Sequence, residues 1–90
     1  MTPTRLDVDK RLAKTMAATF SVPDALISSD SNTENLERWD SIRHMRLILA
    51  LEDEFRVQFG DSEIGGLISF QVLADAILGK LGIDSKRDTR

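Results

Sequence analysis

The run Asp40-Ser41-Ile42-Arg43-His44-Met45-Arg46 gathers a carboxylate, a hydroxyl, an imidazole and two guanidinium groups in a short stretch of chain. If it is helical, Ser41 and His44 lie three residues apart and share a face. A nucleophile and base could be read there. Hydrolysis also needs an orienting carboxylate, an oxyanion hole and a pocket. No Gly-x-Ser-x-Gly elbow surrounds Ser41, and a chain of 90 residues offers no evident place for the rest. Ser41 then has two remaining uses. It caps a helix, a task Asp40 could equally perform, or it carries a phosphate ester. Free backbone N–H groups and the positive end of the helix dipole favour an anion at a helix start. Arg43 and His44 in the first turn oppose that dipole. An anion arriving there, as a phosphate on Ser41 or as an acidic partner surface, would make them favourable.

Other chemistries fit poorly. Asp30, Asn32 and Glu34 occupy the first oxygen positions of a calcium loop, but Asn35 stands where glycine is needed and Ser41 where a bidentate glutamate is needed. Gly65-Gly66 lacks the lysine and spacing of a phosphate loop and reads as a helix stop. With no cysteine and one histidine, the chain has no disulfide framework and no ligand set for structural zinc. Its net charge of −3 and scattered basic residues argue against nucleic acid. The stretch 41–55 is too apolar for a recognition helix. The apolar run Met45–Leu51 is too short to span a bilayer, and no signal peptide is read in the first ten residues. The expectation is a cytoplasmic, monomeric protein with no membrane insertion.

The elements that must position this run follow from periodicity. Val8, Leu12, Met16 and Phe20 recur every fourth residue, predicting a helix over about 4–20, with Pro3 outside it or in its first turn and Ser21 and Pro23 at its end. A long first loop follows. Its turn formers cluster between Ser28 and Asn35, while Val22, Leu26, Ile27, Leu36 and Trp39 suggest that it is pinned to the core. The second helix is expected over 41–55, with Met45, Ile48, Leu51 and Phe55 inward and Ile42, Leu47 and Leu49 widening the apolar arc. A short helix near 61–64 ends at Gly65-Gly66. A last helix starts after Ser69, faces inward through Phe70, Val72, Leu73, Ala76 and Ile77, and ends at Gly79 and Gly82. The fold class is all-α: a small four-helix bundle with three longer helices, one short helix and a long first loop. Residues 1–90 read as one domain, ordered over about 4–80, with a polar tail at 84–90.

Trp-Asp-Ser-Ile, followed by Leu47, Leu51, Glu52 and Phe55, resembles the acyl carrier protein family, in which an Asp-Ser-Leu or Asp-Ser-Ile motif opens the second helix. The likeness covers roughly residues 5–80. It implies that Ser41, beside Asp40, receives a 4′-phosphopantetheine arm from coenzyme A through a separate Mg²⁺-dependent phosphopantetheinyl transferase. The arm's thiol then holds an acyl group, and the carrier delivers it to acyl-loading and acyl-processing enzymes without catalysing anything. By position, Met45, Leu49, Leu67 and Ile77 could line a space for an acyl chain, though ordinary core packing would use the same side chains. Trp39, Arg43, His44 and Arg46 are candidates for partner docking. Members of the fatty-acid type have an acidic second helix, whereas here its first half is basic. This points to a specialised lipid or secondary-metabolite pathway rather than a housekeeping role. No Gly-Gly-x-Ser precedes the helix, which argues against an aminoacyl or peptidyl cargo and leaves it the lesser alternative. Another alternative is an unmodified helical interaction module in which Ser41 is only a cap.

Overall fold

Thr4 begins the first helix by a reciprocal cap. In a computed structural model, which describes residues 4–82, its hydroxyl accepts from the Asp7 N–H and its own N–H donates to the Asp7 carboxylate, both at 3.2 Å. This helix, α1, runs Arg5–Phe20 and ends at Ser21, whose left-handed backbone (φ 57°) lets its N–H reach the last turn. Its fourth-residue stripe is wholly inward: Val8, Leu12, Met16 and Phe20 are all 0 % exposed. The expectations for Pro3 and for the tail at 84–90 lie outside the described residues.

Three further helices follow: α2, Ser41–Phe55; α3, Asp61–Ile64; and α4, Phe70–Lys80. With the single 3₁₀ turn Asp24–Leu26 in the first loop, they complete an all-α arrangement without strands among the described residues. α1 packs against both α2 and α4. One cluster joins α1, the loop residues Ile27, Leu36 and Trp39, the inner face of α2, and Phe70, Leu73, Ala74, Ile77 and Leu78 of α4. Each fully buried leucine or isoleucine of this cluster contributes about 1.5–3 kcal/mol of transfer free energy.

Two inner faces differ from expectation. On α2 the buried residues are Leu47, Ile48, Leu51 and Phe55, while Met45 is 46 % and Leu49 61 % exposed, and Ile42 also faces outward. The helix presents a second apolar stripe to solvent, which composition alone could not distinguish from a wide buried arc. On α4, Val72 is exposed and Ala74 and Leu78 are buried instead, so the stripe is turned by about one position. Gly79 lies inside this helix; only Gly82, at φ 78°, takes the left-handed conformation just beyond it. In the first loop Leu26 is exposed rather than pinned.

The polar residues of the first loop fold the loop itself. The Asn32 side-chain oxygen accepts from the Glu34 and Asn35 N–H groups, and the Asn35 oxygen accepts from the Asn32 N–H. The nearly buried Ser31 hydroxyl accepts from the Ser28 N–H. The loop is then stitched to the approach of α4: the Thr33 N–H donates to the Ile68 carbonyl at 3.1 Å, and the Phe70 N–H to the Ser31 carbonyl at 2.9 Å.

The far end of α2 is fixed equally firmly. Arg56 turns left-handed at φ 58°, and the Glu52 carboxylate accepts from the Phe59 N–H at 3.0 Å. Arg11 of α1 donates to the Glu54 carboxylate (2.8 Å) and to the Glu54 carbonyl (2.6 Å), and lies 4.5 Å above the Phe55 ring. A cation at the carbonyl end of a helix also suits its dipole.

Candidate functional site

The start of α2 is a division of labour between neighbours. Asp40, in extended backbone, is the N-cap: its carboxylate accepts from the Arg43 N–H at 2.9 Å, and its carbonyl from the His44 N–H at 2.8 Å. Ser41 is the first helical residue and is exposed. Its hydroxyl has no hydrogen-bond partner among the described residues. The cap that either residue could have supplied is Asp40 alone.

Arg43 folds back onto that cap, its guanidinium 2.6 Å from the second Asp40 oxygen. The hydrogen bond from the Arg43 backbone, with the guanidinium adding to it, holds the Asp40 carboxyl below the usual carboxylate range. The anion that the basic first turn calls for is therefore present inside the chain. Arg46, one turn on, is exposed and has no ion-pair partner among the described residues.

His44 is not free for docking. Its Nδ1 accepts from the Trp39 indole N–H, and its Nε2 meets the Ile64 carbonyl, both at 2.9 Å. Trp39 is 5 % exposed, with its rings 5.3 Å from Phe20. It is a core anchor that also fixes the loop before Ser41, and little of it is left for a partner.

Ser41 opens onto a groove of about 580 Å³ between the first loop, α2 and the end of α3. This lies within the usual range for small-molecule sites. Met45, Ile64 and Ile68 line the groove with apolar side chains, together with Trp39, His44, Thr33, Asp40 and Gly65. Of the four residues expected around an acyl chain, only Met45 is here. Leu49 borders a separate depression with Glu52, Asp53 and Arg56. Leu67 and Ile77 are sealed in the core at 4 % and 0 % exposed. The four share no cavity, because α2 is rotated so that Leu47 rather than Met45 or Leu49 faces inward.

Thr33, Ile64 and Ile68 were absent from the sequence reading of the site. Ile64 and Ile68 carried a usable signal: each is an apolar residue at the edge of a predicted helix terminus. Thr33 carried none, since only the stitch to Ile68 brings it there. Among the described residues no group of histidine, cysteine and carboxylate side chains could hold a metal ion, and no helix is long and apolar enough to cross a membrane.

The chain matches no established protein-family profile. It is 35 % identical over 57 residues to acyl carrier protein 2 of Pseudomonas aeruginosa, a match covering 63 % of this chain and 72 % of the relative. An exposed, unemployed serine opening the second helix of a small all-α fold agrees with that kinship: the chain belongs to the acyl carrier protein family, whose members are carriers of acyl groups and not enzymes.

Proposed function

We propose that Ser41 is the attachment point of a 4′-phosphopantetheine arm, transferred from coenzyme A by a phosphopantetheinyl transferase. The observation that carries this reading is the exposed Ser41 hydroxyl, relieved of capping by Asp40 and standing at the mouth of an apolar groove. The residues present suit the group. Esterification needs an accessible hydroxyl, and Ser41 supplies one. The added phosphate meets the N-terminal end of α2, where an anion is favoured. Asp40 beside it is already paired with Arg43, which limits repulsion. The arm supplies the thiol that would hold an acyl group as a thioester, chemistry this cysteine-free chain cannot provide itself.

Docking falls to the outward stripe of α2. Ile42, Met45 and Leu49 are exposed beside Arg46. Acyl-loading and acyl-processing enzymes with an apolar recess and a carboxylate at its edge fit this surface, and the transferase must read the same helix. A basic rather than acidic approach favours a specialised lipid or secondary-metabolite pathway over bulk fatty-acid synthesis. The working form is a cytoplasmic monomer.

The test is an intact mass after incubation with coenzyme A, Mg²⁺ and a broad-specificity transferase. One phosphopantetheine should be gained by the parent and none by Ser41→Ala. No gain on a folded parent with several transferases would overturn the reading and leave an unmodified interaction module.

A further inference from the structure

Gly65 and Gly66 follow α3 directly, yet the backbone requires glycine at neither, since neither takes a positive φ. Gly65 lies in the right-handed helical region (φ −65°, ψ −20°), which every L-residue adopts. A helix stop therefore does not explain it. Packing does not explain it either, because a Cβ built at Gly65 meets no atom within 4 Å. Alanine there would lose less chain entropy on folding than glycine does. Gly60 and Gly79 are equally uncrowded, but neither borders the groove at Ser41. Gly65 does.

The chemistry of the groove is one-sided. Met45, Ile64 and Ile68 make it apolar, and most of its polar groups are already engaged. The Trp39 indole N–H and both imidazole nitrogens of His44 are taken up with each other and with the Ile64 carbonyl. The Asp40 carboxylate accepts from the Arg43 N–H and its guanidinium. Two hydroxyls remain, on Thr33 and Ser41. No lysine or arginine lines the groove. A carboxylate placed there would find no cation to pair with and would meet the negative charge of Asp40. A groove of about 580 Å³ with this lining suits an uncharged, apolar group. It is open to solvent, whereas Leu67 and Ile77 are sealed in the core.

We propose that Gly65 is a specificity-determining position: its missing side chain keeps the groove open for an uncharged, apolar acyl group, which lies along Ile64 and Ile68 at the surface and not among the core residues. The proposal rests on the carrier reading of Ser41 and adds to it the class of cargo. A leucine at position 65 would take up the space that the acyl group needs while displacing nothing that the fold needs. A cargo ending in a carboxylate is disfavoured by the same groove, through charge rather than size. The affinity can be modest. A group tethered at Ser41 has an effective concentration of about millimolar or above, so a groove that binds the free group only weakly is still well occupied.

The experiment titrates the methyl-labelled full chain, without any arm, with the hexanoyl thioester of N-acetylcysteamine. The adipoyl thioester, of equal carbon number but ending in a carboxylate, is the comparison. The hexanoyl probe should move the methyl resonances of Met45, Ile64 and Ile68 saturably and leave those of Leu67 and Ile77 in place. The adipoyl probe should bind about tenfold more weakly or worse. Gly65→Ala should weaken hexanoyl binding by about two- to threefold and Gly65→Leu by about tenfold or more, with no loss of thermal stability in either. Gly66→Ala, whose Cβ would lie 3.7 Å from the Glu63 carbonyl at a position outside the groove lining, should bind as the parent does. Undiminished binding by Gly65→Leu, equal binding of the adipoyl probe, shifts centred on Leu67 and Ile77, no saturable shift, or destabilisation by both Gly65 variants would each overturn the proposal. The readout needs no attached arm, so a failed mass gain on Ser41 and a failed groove are separate results.

Discussion

Asp40 and Ser41 are adjacent, yet only Asp40 holds the helix they begin: its carboxylate takes the Arg43 N–H at 2.9 Å, and the Ser41 hydroxyl faces solvent. With the attachment proposed at Ser41, structure and chemistry at this site fall to different residues and can be altered separately.

Ser41→Ala removes no cap. Alanine is also the better helix former at a helical position. The substitution should change unfolding free energy by no more than about 0.5 kcal/mol, read from urea titrations. A loss well beyond that would mean the hydroxyl has a structural task after all.

Asp40 should respond to acid. Its folded-state titration lies below the ordinary value of 3.8 because of the bonds from Arg43. A depressed carboxylate contributes stability that is complete above its unfolded value and is lost as pH falls through the folded one. Thermal unfolding followed from neutral to acid pH should show this loss in the parent. Asp40→Asn, which keeps a capping oxygen, should have a shallower acid slope, and Asp40→Ala a lower melting temperature at neutral pH.

Leu12 is 0 % exposed at the centre of α1, where the helix meets both α2 and α4. Leu12→Ala should cost about 2–5 kcal/mol, measured as a shift of the urea midpoint at unchanged slope. Leu49→Ala on the outer stripe of α2 should stay within about 0.5 kcal/mol. This contrast checks which way α2 is turned.

Arg11 and Glu54 are both about two-fifths exposed, so their ion pair is screened. A double-mutant cycle with Arg11→Met and Glu54→Gln should give a coupling of about 0.3–1 kcal/mol. Arg11→Met alone should cost more than the coupling, because it also abandons the Glu54 carbonyl and the Phe55 ring.

Arg46→Glu tests the docking surface. The side chain is exposed and unpaired among the described residues, so the fold should survive. If a partner presents a carboxylate there, its association rate should fall by about tenfold or more at low salt and converge with the parent as salt rises. A salt-independent effect would remove Arg46 from the interface.

The helices were legible because each has both a period and punctuation. The stripe Val8-Leu12-Met16-Phe20 lies between Thr4 and Ser21, and Ser69 opens α4 by accepting from the Val72 N–H. What periodicity could not supply was the turn of α2. Eight of its residues are apolar, so several arcs fit, and packing against α1 selected the one through Leu47. Ser41 could be singled out from sequence, and so could its rivalry with Asp40 for the cap. Trp39 could be read as a residue pinning the loop to the core, but its bond to His44 and the bond from His44 to Ile64 could not, because they depend on how the loop and α3 return to α2. The part of the groove at Thr33 was hidden for the same reason: Thr33 and Ile68 are distant in sequence and meet only through the folded loop.

The stitch between Thr33 and Ile68 has a topological consequence. It brings together the two ends of the segment 33–68, which holds all of α2 and α3, while α1 and α4 lie outside it. The segment is in effect an excursion that leaves the chain and returns to the same place. Closing such an excursion costs entropy that grows only slowly with its length. The chain can therefore accept a longer or shorter excursion between those ends, provided the α2 face through Leu47, Ile48, Leu51 and Phe55 that packs on α1 is kept. Exchange of 33–68 between relatives as a cassette would transplant Ser41, its groove and the outer apolar stripe of α2 together, and with the docking role proposed for that stripe it would carry partner choice along.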